Sequence, residues 1–179
     1  MAALPQHIND VSRETSHARR HRNESAKEHD MSTISTEELI TKAIEAREGS
    51  YSPYSHFCVG AALEATDGTV YTGCNIENMG FAPTICAERT ACAKAVSEGH
   101  HEFTRIAVVG GAKGPLTSFC SPCGMCREFL CEFCERDFEI ILAKSPTEYK
   151  SYTLDELYPL TEKPVFDTDD PFGGAFGGK

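Results

Sequence analysis

Two cysteines stand three residues apart in Cys123-Gly124-Met125-Cys126, directly after Pro122. A helical pattern begins here, so both thiols are expected in the first turn of a helix and on one face of it. A helix N-terminus carries partial positive charge and favours the thiolate form that zinc requires. By itself the pair fits a catalytic zinc site, a structural zinc knuckle or a redox pair.

A third cysteine, Cys86, opens a second predicted helix, and Glu88 follows it two residues later. If the two helix starts meet, Cys86, Cys123 and Cys126 can bind one zinc ion and leave its fourth tetrahedral position open, as catalytic zinc sites do. A carboxylate beside water held at that position can take its proton and pass it to a substrate. The spacing therefore predicts a catalytic zinc site with Glu88 as the proton shuttle.

Composition restricts the compartment and the partners. The chain has nine cysteines, and without an apolar secretory segment a disulfide framework is not expected, which favours metal ligation. Seventeen Lys and Arg against 27 Asp and Glu give a net charge of -10, which repels nucleic acids and anionic lipids. No stretch has the roughly 18 uninterrupted apolar residues of a membrane span. We therefore expect a soluble, cytoplasmic protein with no nucleic-acid or membrane partner.

The elements that position these residues follow from hydrophobic spacing and turn signals. A capping box at Ser35 opens a helix that Gly49 ends, Asp67-Gly68 marks a hairpin, and Thr153 caps a short last helix. The six elements between the first and last helices are strand, strand, helix, strand, helix and strand, over residues 57–65, 69–74, 86–97, 105–109, 123–135 and 138–143. Strands that alternate with helices place helices on both faces of a sheet. The sequence thus predicts an α/β fold, a three-layer α/β/α sandwich with a mixed β-sheet.

Both ends of the chain are expected to lie outside the folded unit. Residues 1–31 balance five bases against five acids and show no hydrophobic period, which is typical of a disordered arm. Residues 32–165 form the predicted catalytic domain. Residues 166–179 are rich in glycine and are expected to be an irregular tail.

Four motifs occur in an order that resembles the cytidine deaminases, small homotetrameric zinc-dependent enzymes that act on free nucleosides. They are Tyr51-Ser52-Pro53-Tyr54-Ser55-His56-Phe57, Gly73-Cys74-Asn75-Ile76-Glu77-Asn78, Cys86-Ala87-Glu88-Arg89-Thr90-Ala91 and Ser121-Pro122-Cys123-Gly124-Met125-Cys126-Arg127. The resemblance implies a cytidine deaminase-like fold, a Zn²⁺ cofactor held by Cys86, Cys123 and Cys126, and Glu88 as the catalytic residue. It also implies hydrolytic deamination of cytidine and deoxycytidine to uridine and deoxyuridine plus ammonia, in pyrimidine salvage, by a homotetramer.

The same resemblance assigns substrate contacts. Phe57 matches an aromatic residue that stacks on the base, whereas Asn75 and Glu77 match residues that bind the ribose hydroxyls. Phe81 matches a residue that lines the same pocket, and Ala87 matches a backbone contact to the base. A carboxylate at the sugar end repels phosphate, so Glu77 favours a nucleoside over a nucleotide.

The predicted zinc site carries a net negative charge that neighbouring groups must partly neutralise. Three thiolates and Zn²⁺ sum to one negative charge, which raises the pKa of bound water relative to a site of neutral histidines. The helix N-termini offset part of it. By resemblance, Arg89 hydrogen-bonds to a ligand sulfur and withdraws further charge.

Two other functions stay open. A blasticidin S-type antibiotic deaminase would share this fold, although the intact Asn75-Ile76-Glu77-Asn78 with Phe57 argues against it. A non-catalytic zinc-binding interaction module could use the three cysteines with Cys120 as a fourth ligand.

The sequence departs from its relatives at four extra cysteines and at the C-terminus. The extra cysteines are interpreted as buried structural thiols, Cys58, Cys120, Cys131 and Cys134. Relatives end on a phenylalanine that reaches a neighbouring active site. Here the candidates come late in the chain, at Phe166, Phe172 and Phe176.

Overall fold

The structure is a computed structural model that describes residues 34–159. The predicted arm, the predicted tail and its three phenylalanines lie outside these residues. Along the described residues the elements are α1 (Thr36–Arg47), β1 (Phe57–Ala65), β2 (Val70–Cys74), α2 (Ala87–Ser97), β3 (Phe103–Ala112), α3 (Gly124–Cys131), β4 (Glu139–Ser145), β5 (Glu148–Thr153) and α4 (Leu154–Leu157). The predicted order therefore holds through β4 and again at α4, and β5 is an addition.

The strands form one mixed sheet in the order β2-β1-β3-β4-β5. β3 and β4 pair in parallel across α3, and the other neighbouring pairs are antiparallel. β2 and β3 are joined through α2, but β1 lies between them. The predicted mixed sheet is confirmed.

Helices cover both faces of this sheet, so the predicted three layers are confirmed for the described residues. α1 covers one face, where the buried residues are Leu39, Ile40, Ala43, Ala62, Ala107, Val109, Ile141 and Ala143. α2 and α3 cover the other, where they include Ala91, Ala95, Leu130, Leu63, Ile106 and Ile140. No helix within residues 34–159 has the length and apolar character needed to cross a membrane.

The start of α2 rests directly on β2 at Gly73. A Cβ atom at this glycine would lie 2.4 Å from the Ala87 carbonyl oxygen and 2.5 Å from the Ala91 nitrogen. Carbon contacts are ordinarily about 3.5 Å or longer, so only glycine permits this approach. Gly73 thereby fixes the height above the sheet at which Cys86 and Glu88 lie.

The sequence analysis missed β5 and predicted α3 too long. β5 is an edge strand that pairs only with β4, and its residues are mostly exposed, so it shows no apolar alternation. α3 ends at Cys131 rather than near residue 135, and a turn follows in which the N–H groups of Phe133 and Cys134 both donate to the Leu130 carbonyl. Cys134 is nonetheless buried, so the apolar period continues through a turn that is not helical.

Candidate active site

The N-termini of α2 and α3 meet at three thiols. Cys86 is the N-cap residue of α2 and Cys123 is the N-cap residue of α3, and both have extended backbone angles and no side-chain cap hydrogen bond. Cys126 lies in the first turns of α3 and is fully buried. The Sγ atom of Cys123 is 3.7 Å from that of Cys86 and 3.6 Å from that of Cys126.

The spacing of these sulfurs fits a zinc ion. A tetrahedral site with Zn–S bonds of about 2.3 Å separates its sulfurs by about 3.8 Å. The three Sγ atoms all lie within 4.8 Å of one another, and within residues 34–159 they form the only such group of three or more His, Cys, Asp or Glu side chains. Cys120 does not belong to the group, so the described residues leave the fourth coordination position open. Cys86, Cys123 and Cys126 form no disulfide bond.

A buried carboxyl group accompanies the thiols. Glu88 lies in the first turn of α2, is 3% exposed, and its Oε2 atom has no hydrogen-bond partner among the described residues. Burial, assisted by the negative charge of Cys86, raises the pKa of Glu88 to about 7. A carboxyl group with a pKa near neutrality can both accept and deliver a proton. Ala87, which precedes it, is fully buried.

Arg89 links the thiols to the preceding loop. Its Nη2 atom donates to the Thr84 carbonyl at 3.0 Å and to Cys86 Sγ at 3.9 Å. A hydrogen bond with Cys126 and the neighbouring Arg89 guanidinium lower the pKa of the Cys86 thiol to about 5. The same shared hydrogen bond, together with burial, raises the pKa of Cys126. The cluster therefore favours the thiolate form of Cys86 at the N-terminus of α2.

The predicted sugar-binding residues lie where β2 ends. Glu77 accepts hydrogen bonds from the backbone N–H groups of Tyr54 and Ser55, at 2.9 and 3.2 Å, and from the Ser55 hydroxyl. The Ser55 hydroxyl contributes most to lowering the pKa of Glu77. Asn75 is 8% exposed and is hydrogen-bonded to β1. Sequence reasoning missed the Ser55 contact, because a serine in a loop gives no signal of a partner 22 residues away.

The two predicted aromatic residues have different settings. Phe57 begins β1 and is 42% exposed. Phe81 is 73% exposed, has a φ angle of 55° in the left-handed region, and makes its ring contact with Tyr54 at 6.2 Å. The structure thus places Phe57 on the sheet and Phe81 on an exposed turn.

Cys120 lies beside Phe57 against β3. A Cβ atom at Gly110 would be 2.6 Å from Cys120 Sγ and 3.1 Å from the Cε1 atom of Phe57. Burial raises the pKa of Cys120 to about 11, and the nearby Glu88 carboxylate adds to the shift. Cys120 is therefore a neutral, half-buried thiol beside the site.

A three-layer α/β/α fold whose helix starts bring three thiols and a buried carboxyl group together defines a zinc-dependent hydrolase. Residues 33–142 match the family model described as the cytidine and deoxycytidylate deaminase zinc-binding region. The chain belongs to this family of deaminases, which confirms the resemblance, the fold and the zinc cofactor expected from the sequence.

Individual relatives agree with this family. The cytidine deaminase of Sporosarcina psychrophila is 46% identical over 126 residues, which cover 70% of this chain and 90% of that protein. The crystal structure of cytidine deaminase from Burkholderia pseudomallei has a TM-score of 0.65 at 38% identity and covers 72% of this chain and 100% of that one. The blasticidin-S deaminase of Bacillus cereus is less similar, at 32% identity over 130 residues, with 69% of this chain and 89% of that protein covered.

Proposed function

We propose that the chain hydrolyses the C4 amino group of cytidine and deoxycytidine, giving uridine and deoxyuridine plus ammonia. The observation that carries the proposal is the buried Glu88 carboxyl group, whose Oε2 atom has no hydrogen-bond partner among the described residues, beside three thiols that fit one zinc ion. Cys86, Cys123 and Cys126 would hold this ion. When bound there, zinc supplies a Lewis acid that activates water toward the C4 carbon of cytosine.

Glu88 moves the protons of this reaction. It accepts the proton that water loses as the C4–O bond forms, and it delivers a proton to N3 of the base. It then takes the remaining proton of the C4 hydroxyl and carries it to the amino group, which leaves as ammonia when the C4–N bond breaks and the C4 carbonyl forms. A pKa of about 7 suits both directions of transfer near neutral pH. Arg89 hydrogen-bonds to Cys86 and limits the negative charge at the sulfurs.

The remaining residues bind the nucleoside. The ring of Phe57 stacks on the base, the backbone of Ala87 contacts the base, and Phe81 lines the same pocket. Glu77 accepts from ribose hydroxyls, because its carboxylate keeps capacity beyond the loop donors it already binds. Its charge repels a 5′- or 3′-phosphate that approaches this end, which favours free nucleosides.

We further propose that the enzyme works as a homotetramer in cytoplasmic pyrimidine salvage. Relatives named cytidine deaminase support the deamination reaction on which this role depends. The acidic composition, with a net charge of -10, supports a small-molecule substrate over a polynucleotide.

The test is the near-ultraviolet absorbance of cytidine after addition of the purified, zinc-loaded protein. Wild type should consume cytidine, Glu88→Gln should not, and both should contain equal zinc. Glu45→Gln is the matched control, because Glu45 is an exposed residue on the outer side of α1. It should behave like wild type.

Blasticidin S is assayed in parallel to separate the alternatives. Turnover of the antibiotic without turnover of cytidine would contradict the proposed substrate. A zinc-loaded wild type that is inactive on both would support a binding module. Equal activity of Glu88→Gln and wild type would contradict the role of Glu88.

A further inference from the structure

The side chain of Asn75 continues the pairing of β1 and β2 past the point where the backbones separate. The β1–β2 register ends at the pair Gly60 and Cys74, and Ile76 turns away to pair with Ile85. The backbone N–H of Asn75 still donates to the Val59 carbonyl at 3.2 Å, and beyond it the side-chain amide of Asn75 takes the place of a peptide group. Its Oδ1 atom accepts from the Val59 N–H at 2.8 Å, and its Nδ2 atom donates to the Phe57 carbonyl at 2.8 Å.

These partners allow only one orientation of the amide. The Val59 N–H can only donate and the Phe57 carbonyl can only accept, so Oδ1 must face Val59 and Nδ2 must face Phe57. The oxygen is also shared with Ser50, whose hydroxyl donates to it at 2.5 Å. With the side chain 8% exposed, its oxygen is fully used within the protein.

The Phe57 carbonyl has this amide as its partner on the β2 side of the strand. On the β3 side of β1, Phe57 is paired with Ala112. The Phe57 N–H donates to Ser55 Oγ at 3.0 Å. Phe57 is the first residue of β1, so the strand does not continue before it to hold its direction. The hydrogen bond from Asn75 therefore fixes the N-terminal end of β1, from which the Phe57 ring extends.

We infer that Asn75 is a positioning residue that acts on substrate through Phe57, in addition to any contact with the sugar. The inference rests on the proposed deamination of cytidine. Ser50 connects Asn75 to α1. Its N–H donates to the Arg47 carbonyl at the end of α1, at 3.0 Å, and its hydroxyl donates to the Asn75 side-chain oxygen. The chain of contacts thus runs from α1 through Ser50 and Asn75 to the base-stacking residue.

The deciding experiment compares cytidine with 2′,3′-dideoxycytidine, which lacks the 2′ and 3′ hydroxyls of the ribose and keeps the 5′ hydroxyl. A residue that only binds the 2′ and 3′ hydroxyls matters for cytidine and not for the analogue. A residue that positions Phe57 matters for both. Asn75→Ala should therefore raise KM about tenfold for each substrate with kcat changed less than about twofold, because uniform binding is lost while Glu88 and the thiols stay in place.

Ser50→Ala is the milder variant, at a residue to which no contact with the sugar is assigned. It removes one hydrogen bond to the Asn75 oxygen and should raise KM about threefold for both substrates. Ser97→Ala is its matched control, because the Ser97 hydroxyl donates to the Lys94 carbonyl within the last turn of α2, at 2.8 Å, and has no other hydrogen bond to residues 34–159. Its kinetic constants should equal those of wild type.

Hydrogen exchange at the Val59 amide gives a readout that needs no catalysis. Asn75→Ala should accelerate this exchange at least about tenfold, because the N–H loses its acceptor. Unchanged exchange would overturn the inference even if the protein proved to have another substrate. So would an Asn75→Ala variant that loses cytidine but handles dideoxycytidine as wild type does. Absence of cytidine turnover by wild type, with accelerated exchange in the variant, would instead refute the proposed function alone.

Discussion

Replacing Gly73 with alanine tests whether the contact between α2 and β2 sets the geometry of the zinc site. The new Cβ atom would lie 2.4 Å from the Ala87 carbonyl oxygen, and 3.4 Å is the lower limit of ordinary van der Waals contact. The start of α2 must therefore move outward by about 1 Å. Cys86 and Glu88 would move with it, whereas Cys123 belongs to α3.

The expected loss follows from that displacement. The Sγ atoms of Cys86 and Cys123 are 3.7 Å apart, close to the roughly 3.8 Å that zinc requires, so a shift of about 1 Å weakens metal binding. Misplacement of a proton-transfer group by this distance lowers kcat by about a hundredfold. Overpacking should also lower the free energy of unfolding by ~1–3 kcal/mol.

The assay measures zinc per folded protein, kcat for cytidine and thermal unfolding of Gly73→Ala. Gly49→Ala is the control, since its Cβ would meet Ala46 and Cys74 at ordinary distances of 3.4 and 3.6 Å. It should retain zinc and activity. Wild-type zinc content and kcat in Gly73→Ala would refute the reasoning, because they would show that the site does not depend on where α2 meets the sheet.

Two further predictions concern stability. The Thr69 backbone N–H, together with His100, lowers the pKa of Asp67 to about 2. The ionised Asp67 carboxylate therefore stabilises the folded protein above the unfolded-state pKa of about 3.9. This contribution to the free energy of unfolding is lost as the pH falls through 2. Thermal unfolding of Asp67→Asn should depend less on pH between 4 and 2 than that of wild type, and parallel curves would contradict this. Arg105→Met should leave the fully buried Glu64 carboxylate without its ion-pair partner and destabilise the protein by ~3–5 kcal/mol in chemical unfolding. Adding Glu64→Leu should recover much of that loss, and no recovery would show that the uncompensated charge is not the cause.

The parts of the fold that the sequence predicted are those with a local signal. The capping box at Ser35 and the turn at Asp67-Gly68 specify α1 and the first hairpin over a few residues, and both are present. The meeting of Cys86 with Cys123 is a long-range contact, yet it was predictable because each thiol stands at a helix start with a recognisable motif. The chemistry of a metal limits which residue types can occupy such places.

The remaining features depend on partners far along the chain. The bond from Ser50 to Asn75 spans 25 residues, and neither residue type specifies the other. β5 is stabilised by strand pairing at an edge, which leaves no hydrophobic period to detect. The pKa of Glu88 likewise depends on burial, which a sequence pattern does not measure.

The four helices of the described residues differ in how they begin. α1 and α4 start at Ser35 and Thr153, and each has a complete capping box, whereas α2 and α3 start at cysteines whose side chains cap nothing. A serine or threonine at Cys86 or Cys123 would gain about 1 kcal/mol of helix stability and remove a proposed zinc ligand. Selection for a more stable chain therefore opposes selection for the metal at these two positions. Laboratory evolution that selects only for heat resistance should therefore replace Cys86 or Cys123 first, and activity should be lost with them.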